Sequence, residues 1–227
     1  MIYMYHHLGL GDHIICNGMV RYFYKEHGSV KLFCYKRNLS NVSYMYRDLP
    51  NLELISVVSD SQADNILSKL DPSIKRVKVG FNRLPEFMDP LTFDEAFYKI
   101  ANFDFKVRFE YFYLERELDK EKDVMDRINP TGEKYIFIHD DKSRGFAIDE
   151  SRITSGYKKI YNDNSIPLFH CIGLIENAEE VHVMQSSIKD LINSFKLGKP
   201  RFFLHEYVRN YNHLLDSKGN NKFINLK

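Results

Sequence analysis

Ile2-Tyr3-Met4-Tyr5-His6-His7-Leu8-Gly9-Leu10-Gly11-Asp12-His13-Ile14-Ile15-Cys16-Asn17-Gly18-Met19-Val20-Arg21 opens the chain, and its reading decides the fold. The apolar run Ile2–Tyr5 predicts a strand. Residues 14–24 predict a helix, with Ile14, Ile15, Met19, Val20 and Phe23 gathered on one side. Between the two lies a glycine-rich turn, residues 8–13. Glycine lets a backbone bend sharply and approach another group, because no Cβ intervenes. The helix that follows presents free N–H groups and its positive dipole end to the turn. Asp12 stands at that mouth, and two readings of it stay open. It caps the helix, or it accepts a proton from an incoming hydroxyl. A carboxylate at a helix start stays ionised, as a base must, although the same field lowers its basicity.

The pattern repeats outward from this stretch. Residues 30–35, 52–58 and 74–79 read as further strands, with short helices after Asn38 or Ser40 and over residues 63–70. Alternating strands and helices imply a parallel sheet with right-handed crossovers. Residues 81–128 break the rhythm. Pro85 and Pro90 mark an irregular stretch, residues 93–103 read as a helix capped by Thr92, and the aromatic residues 107–114 are expected to be extended. A charged helix over residues 118–128 ends at Asn129-Pro130-Thr131-Gly132. The domain boundary is expected there, giving an N-terminal α/β domain of residues 1–130 and a C-terminal one of residues 131–227. In the second, residues 134–139, the neighbourhood of Ile160, residues 167–169, 180–184 and 201–204 read as strands. Residues 171–178 and 187–195 read as helices, and residues 217–227 as an exposed tail or a segment packing back over the first domain. The expected fold class is α/β, with two Rossmann-like parallel-sheet domains facing a cleft.

Composition narrows the class. The 227 residues suffice for one large domain or two small ones. A net charge of +1 gives no electrostatic case for a nucleic-acid partner. Cys16, Cys34 and Cys171 are odd in number and lack CxxC spacing, which argues against a disulfide framework or zinc site and for a reducing, cytoplasmic location. Neither a signal peptide nor a run of about 20 apolar residues is legible.

Ligands of parallel sheets bind beyond the carboxyl ends of the strands. Three loops therefore qualify, residues 9–13, 140–145 and 185–187, and all are expected to face one cleft. The first lacks the third glycine of the dinucleotide fingerprint, since Ile14 occupies that place, and it lacks a P-loop lysine. In the second, Lys142 and Arg144 suit a diphosphate, with Arg144 able to grip it bidentately and Gly145 allowing a sharp turn. Composition favours the competing reading, a solvated loop in which Asp140 and Asp141 pair with those cations. The acidic pair also suits Mg²⁺, but no third acidic ligand stands out and no metal is expected. Ser186 or Ser187 either caps a helix or, with its free N–H groups, meets a phosphate. His6, His7, His13 and His139 lie near strand ends, where one can assist acid–base work. His182 reads as structural and residues 111–113 as core. No GxSxG is present for a serine hydrolase, and Cys16 falls within a predicted helix face, so neither a serine nor a cysteine nucleophile finds support.

Residues 5–21 (YHHLGLGDHIICNGMVR) resemble the first loop and helix of two-domain nucleotide-sugar glycosyltransferases of the GT-B type, notably the heptosyltransferase-like branch. Residues 135–145 (YIFIHDDKSRG) are similar to the first strand and loop of that family's second domain, and residues 175–195 (IENAEEVHVMQSSIKDLINSF) to its donor-site element. The resemblance implies a compact GT-B-like glycosyltransferase of reduced size. It would move a sugar from a nucleotide-sugar donor to a hydroxyl of a glycan acceptor, without a metal or cofactor and with inversion. Asp12 would be the catalytic base. Gly9, Gly11, His139, Asp140, Lys142, Arg144, Gly145, Ser186 and Ser187 would bind the donor, and His13 and Asn17 would lie on the acceptor side. The chain departs from the family's donor motif, which runs Asp, Thr or Ser, Gly and then His. Gln185 stands at the Asp position, a second serine replaces glycine, and Asp190 follows instead of His. Donor sugar and nucleotide are thereby left open. A nucleotide-sugar epimerase or hydrolase on the same plan, and a non-catalytic sugar-nucleotide-binding module, are the alternatives.

Overall fold

The structure is a computed structural model that describes residues 1–87, 91–209 and 219–227. Pro90, Ser217 and Lys218 lie outside the described residues. The chain divides into two units, one comprising Met1–Glu115, the other starting at Arg116 and taking in Gly219–Lys227.

In the first unit, β1 (Ile2–Tyr5), β2 (Val30–Tyr35), β3 (Leu52–Val57) and β4 (Arg76–Lys78) form a parallel sheet in the order β3-β2-β1-β4. Every residue of β1 is buried, as a central strand covered on both faces requires. Tyr3, Tyr5, Phe33, Val57 and Leu67 make one core cluster of this unit. The first helix starts earlier than the periodicity predicts. It runs Leu10–Ile15 with Gly9 as its N-cap, breaks at Cys16 and resumes as Asn17–His27. Gly11, Asp12 and His13 therefore lie inside a helix and not in a turn. Helices Leu39–Met45 and Asp60–Ser68 follow the expected rhythm. Helix Phe93–Ile100 begins with the expected cap, where the Thr92 N–H donates to Glu95 Oε2 at 2.9 Å.

Residues 107–114 are not an extended run. Val107–Glu110 is a short helix, started by the Asp104 carboxylate, which accepts the Lys106 N–H at 2.9 Å. It turns Arg108 inward to a buried ion pair with Asp94. The aromatic composition suggested an extended run, and this tertiary ion pair overrides it. Nor is Tyr113 core. It is 51% exposed, with the Arg21 guanidinium 4.9 Å from its ring centre.

In the second unit, β5 (Tyr135–Ile138), β6 (Lys158–Tyr161), β7 (Glu180–Val183), β8 (Arg201–His205) and β9 (Phe223–Leu226) form a parallel sheet in the order β6-β5-β7-β8-β9. The units part at Glu115–Arg116, ahead of the boundary expected after residue 130. Helix Leu118–Ile128 belongs to the second unit because Val124 joins Tyr135, Leu174 and Val181 in its core. Arg116 reinforces the attachment, donating to Glu121 Oε1 at 2.8 Å and to Glu176 Oε2 at 2.8 Å. Residues 167–169 are not a strand. Leu168–Cys171 is a 3-10 turn leading into helix Ile172–Asn177. The expected tail is also corrected. Phe223–Leu226 pairs with β8, and the Phe202 and Phe223 rings pack 5.6 Å apart. No helix among the described residues is long and apolar enough to cross a membrane.

Candidate functional site

Strand order reverses between β1 and β4 in the first sheet and between β5 and β7 in the second. Crevices of open parallel sheets form at such switch points, beyond the carboxyl ends of the strands. The candidate residues follow β1, β5 and β7, so topology alone brings each set to the switch point of its own sheet.

In the first unit, Asp12 is half-buried and occupies the third position of helix Leu10–Ile15. Its carboxylate folds back over Gly9, and a Cβ on Gly9 would stand 2.5 Å from Asp12 Oδ2. The glycine is needed for this close approach. Beside it lies a pair of histidines. His6 Nδ1 donates to the His7 carbonyl at 2.5 Å, which fixes the tautomer and leaves Nε2 as a lone pair. The His6 and His13 rings meet edge to face, 4.5 Å between centroids. Burial lowers the His6 pKa to about 4 and that of His13 well below its ordinary value, so both are neutral near pH 7. His6 Nε2, both His13 nitrogens and Asn17 Nδ2 have no hydrogen-bond partner among the described residues. His7 Nε2 accepts the Phe81 N–H at 2.8 Å, tying β1's exit to β4's. His13 and Asn17 are fully buried and, as placed, brace the helix from within. Asn17 Oδ1 accepts the Tyr113 N–H at 3.1 Å.

In the second unit, the loop after β5 closes into a small hairpin. Asp141 N–H donates to the Phe146 carbonyl at 2.9 Å, and Phe146 N–H returns to Asp141 at 3.0 Å. Gly145 takes φ +79°, a left-handed conformation that favours glycine. The cations are engaged as composition suggested. Lys142 Nζ lies 3.3 Å from Asp140 Oδ2, and Arg144 Nε donates to Asp141 Oδ2 at 2.5 Å. Both cationic side chains stay exposed. Asp140 Oδ1 also accepts the Ile148 N–H at 2.8 Å. His139 is buried, and burial lowers its pKa to about 4 against the raising effects of Asn162, Asp141 and Asp140. After β7, Ser186 caps helix Ser187–Ser194, its hydroxyl accepting the Lys189 N–H at 3.4 Å. Ser187, the first helical residue, is half-buried.

Arg209 joins these two loops, and no sequence signal marked it. Its Nη1 donates to the Gln185 carbonyl at 2.9 Å, and its guanidinium lies 4.9 Å from the Phe146 ring centre. A cavity of about 130 Å³, lined by Asp140, Lys142, Tyr161, Asn162 and Asn164, opens beside the hairpin. That is room for a phosphate-sized group and less than the several hundred Å³ of typical ligand pockets.

His182 belongs to a chain and is not alone. Its Nε2 faces Glu180 Oε2 at 3.2 Å and its Nδ1 faces His205 Nε2 at 2.9 Å. His205 Nδ1 faces the Tyr207 hydroxyl at 2.9 Å, and that oxygen accepts the Asp149 N–H at 3.0 Å. The carboxylate end can only accept and the amide end can only donate. Burial lowers both imidazole pKa values, so both rings are neutral near pH 7, and the carboxylate end then sets the direction: His182 donates to Glu180, His205 to His182 and Tyr207 to His205. Among the described residues, no group of three or more His, Cys, Asp and Glu side chains is placed to hold a metal ion.

Comparison with known proteins places this fold. No family model matches the chain and no curated protein matches it by sequence. Solved structures do match. A glycosyl transferase family 9 protein from Veillonella parvula superposes with a TM-score of 0.59 at 8% identity, covering 99% of this chain and 86% of that one. The ADP-heptose LPS heptosyltransferase II of E. coli gives 0.53 at 8% identity, over 98% of this chain and 89% of its own. TibC, an iron-containing dodecameric glycosyltransferase of enterotoxigenic E. coli, gives 0.54 at 12% identity, over 90% of this chain and 57% of that one. The class defined is therefore a pair of parallel-sheet α/β domains with the GT-B-like fold of these enzymes.

Proposed function

We propose that the chain is a glycosyltransferase that moves a sugar from a nucleotide-sugar donor to a hydroxyl of a glycan acceptor. The observation that carries this reading is the half-buried Asp12 carboxylate, folded over Gly9 at the switch point of the first sheet, in a fold shared with glycosyltransferases. Acceptor activation is assigned to the first unit and donor binding to the second. The acceptor oxygen attacks the anomeric carbon and gives its proton to Asp12, while the bond from that carbon to the diphosphate oxygen breaks. Its electron pair leaves on the nucleoside diphosphate. Negative charge grows there, so fixed positive groups lower the barrier. Lys142, Arg144, Arg209 and the start of helix Ser187–Ser194 supply them, the phosphates displacing Asp140 and Asp141 from the first two cations. Direct displacement inverts the anomeric centre, and no step of it requires a metal.

The first test is a thermal-shift screen with ADP, GDP, UDP and their sugars. ADP-linked sugars come first, because one structural neighbour is named for ADP-heptose. A donor at about 100 times its Kd stabilises the folded state by about 2.7 kcal/mol. Asp12→Asn is expected to keep that stabilisation while turnover drops at least a hundredfold. Unchanged turnover would remove Asp12 from the chemistry. Full donor stabilisation with no turnover in the wild type on any acceptor would favour the binding-module alternative. Sugar turnover without an added acceptor would favour the epimerase or hydrolase.

A further inference from the structure

β1 and β4 flank the switch point of the first sheet, and one imidazole fastens their exits together. His7 follows β1, and Gly80 and Phe81 follow β4. The Phe81 N–H donates to His7 Nε2 at 2.8 Å. Gly80 makes this approach possible. A Cβ there would stand 2.8 Å from His7 Cδ2 and 3.0 Å from Nε2, and its φ of +93° favours glycine. Phe81 takes φ +57°, a left-handed conformation that is costly for a bulky aromatic residue. Strain of this kind persists where the surroundings over-determine it, and it gathers at functional sites. Here the Phe81 ring packs 4.6 Å from the His7 ring and 4.6 Å from that of Tyr5, while the imidazole holds its N–H.

An amide N–H can only donate, so Nε2 carries a lone pair and the proton of the neutral ring sits on Nδ1. Burial lowers the His7 pKa against the opposing pull of the Asp60 charge, which leaves the ring neutral near pH 7. The Nε2–Cδ2 edge is turned to Gly80. Nδ1 lies on the other side of the ring and has no hydrogen-bond partner among the described residues. His7, Phe81 and Phe93 are all half-buried, and the Phe93 ring lies 5.8 Å from the imidazole.

We propose that His7 holds the sugar whose hydroxyl Asp12 deprotonates, its Nδ1–H donating to another hydroxyl oxygen of that sugar. The proposal rests on the glycosyltransferase reading and assigns its site a further substrate contact. Two properties suit His7 to the part. Its one lone pair is committed to Phe81, so it does not compete with Asp12 for the proton. It is also uncharged, so it gives a hydrogen bond without lowering the basicity of the carboxylate, as a lysine or arginine after the same strand would. The rings of Phe81 and Phe93 add apolar surface for the C–H face of a sugar, and the strained turn fixes the donor before substrate arrives.

Two substitutions separate the nitrogens. In His7→Gln the amide oxygen takes the place of Nε2 and keeps the Phe81 N–H, while nothing replaces Nδ1–H. In His7→Asn the amide N–H takes the place of Nδ1–H, and the Phe81 N–H loses its partner. His7→Gln is expected to keep the wild-type thermal midpoint and to raise the acceptor KM about tenfold. His7→Asn is expected to lower the midpoint while its acceptor KM stays within about threefold of the wild type. A purely structural histidine gives the reverse order, and a wild-type KM in His7→Gln would overturn the proposal. A second measurement needs neither turnover nor a variant that folds well. Imidazole ¹⁵N shifts of the wild-type protein, with His7 assigned by its loss in His7→Gln, are expected to show Nδ1 protonated and Nε2 bare near pH 7. Glucose, galactose, mannose or N-acetylglucosamine at high millimolar concentration is expected to move the Nδ1 resonance. A proton found on Nε2, or an Nδ1 resonance unmoved by all four sugars, would overturn the proposal. A wild type that transfers nothing from any nucleotide sugar while its Nδ1 responds to sugar would count against the glycosyltransferase reading and not against the contact.

Discussion

Gly9 and Asp12 act as one device. The carboxylate lies where a side chain on residue 9 would be, so Gly9→Ala is expected to push it aside. The displaced group is the free end of a flexible side chain, and folding stability should change by less than about 1 kcal/mol. Turnover should fall at least tenfold with donor stabilisation retained. A Gly9→Ala protein with wild-type turnover would show that the position of Asp12 over Gly9 is irrelevant to catalysis. The place of Asp12 at a helix start behind β1 was legible because glycine, strand and helix signals are local. The burial of His13 and Asn17 was not. The helix begins at Leu10 and breaks at Cys16, which fixes which side chains turn toward the interior. Arg209 was also invisible, since one arginine beyond a strand carries no pattern until its partners, Gln185 and Phe146, are seen in place.

At the level of elements, the C-terminal strand shows how a composition signal fails. The Lys- and Asn-rich sequence reads as solvated tail, yet Asn221 is a buried linchpin. Its Nδ2 donates to the Ile192 and Phe195 carbonyls at 2.6 Å each, and its Oδ1 accepts the Leu197 N–H at 3.1 Å. These groups lie at the end of helix Ser187–Ser194, whose last carbonyls lack intrahelical partners. Asn221→Ala leaves several buried backbone groups unpaired, at about 1–3 kcal/mol each before water relieves some of them. The expected loss is about 2–4 kcal/mol from the second unit, read by urea unfolding followed with a probe in that unit. A loss under about 0.5 kcal/mol would mean that β9 holds without this bond set. The helix 118–128 was recognised as a helix, but its allegiance was not. Its charged face says only that one side is wet, and Val124 reaches a core assembled by residues far along the chain.

Across the whole molecule, both units bury neutral histidines. Burial lowers His6, His139 and His205 to about 4 and also depresses His7, His13 and His182. Folded-state values lie below the ordinary 6.5, so the unfolded chain binds protons first as pH falls. The stability tied to these groups is fully present above pH 6.5 and is lost between about 6.5 and 4. His6 alone accounts for on the order of 3 kcal/mol by the lower end of that window. A thermal midpoint that is level from pH 8 to 7 and falls steeply from pH 6.5 to 4.5 is expected. A midpoint unchanged down to pH 4.5 would show that these rings are protonated or solvated in the folded protein. The sequence by itself determined the alternation of strands and helices, most strand positions and the loops that follow them, because each depends on a handful of neighbouring residues. Only the tertiary structure decided strand order, the join at Glu115–Arg116, the pairing of β9 with β8 and the company each polar side chain keeps. Those follow from contacts between residues distant in the chain, where burial and pairing overrule local preference.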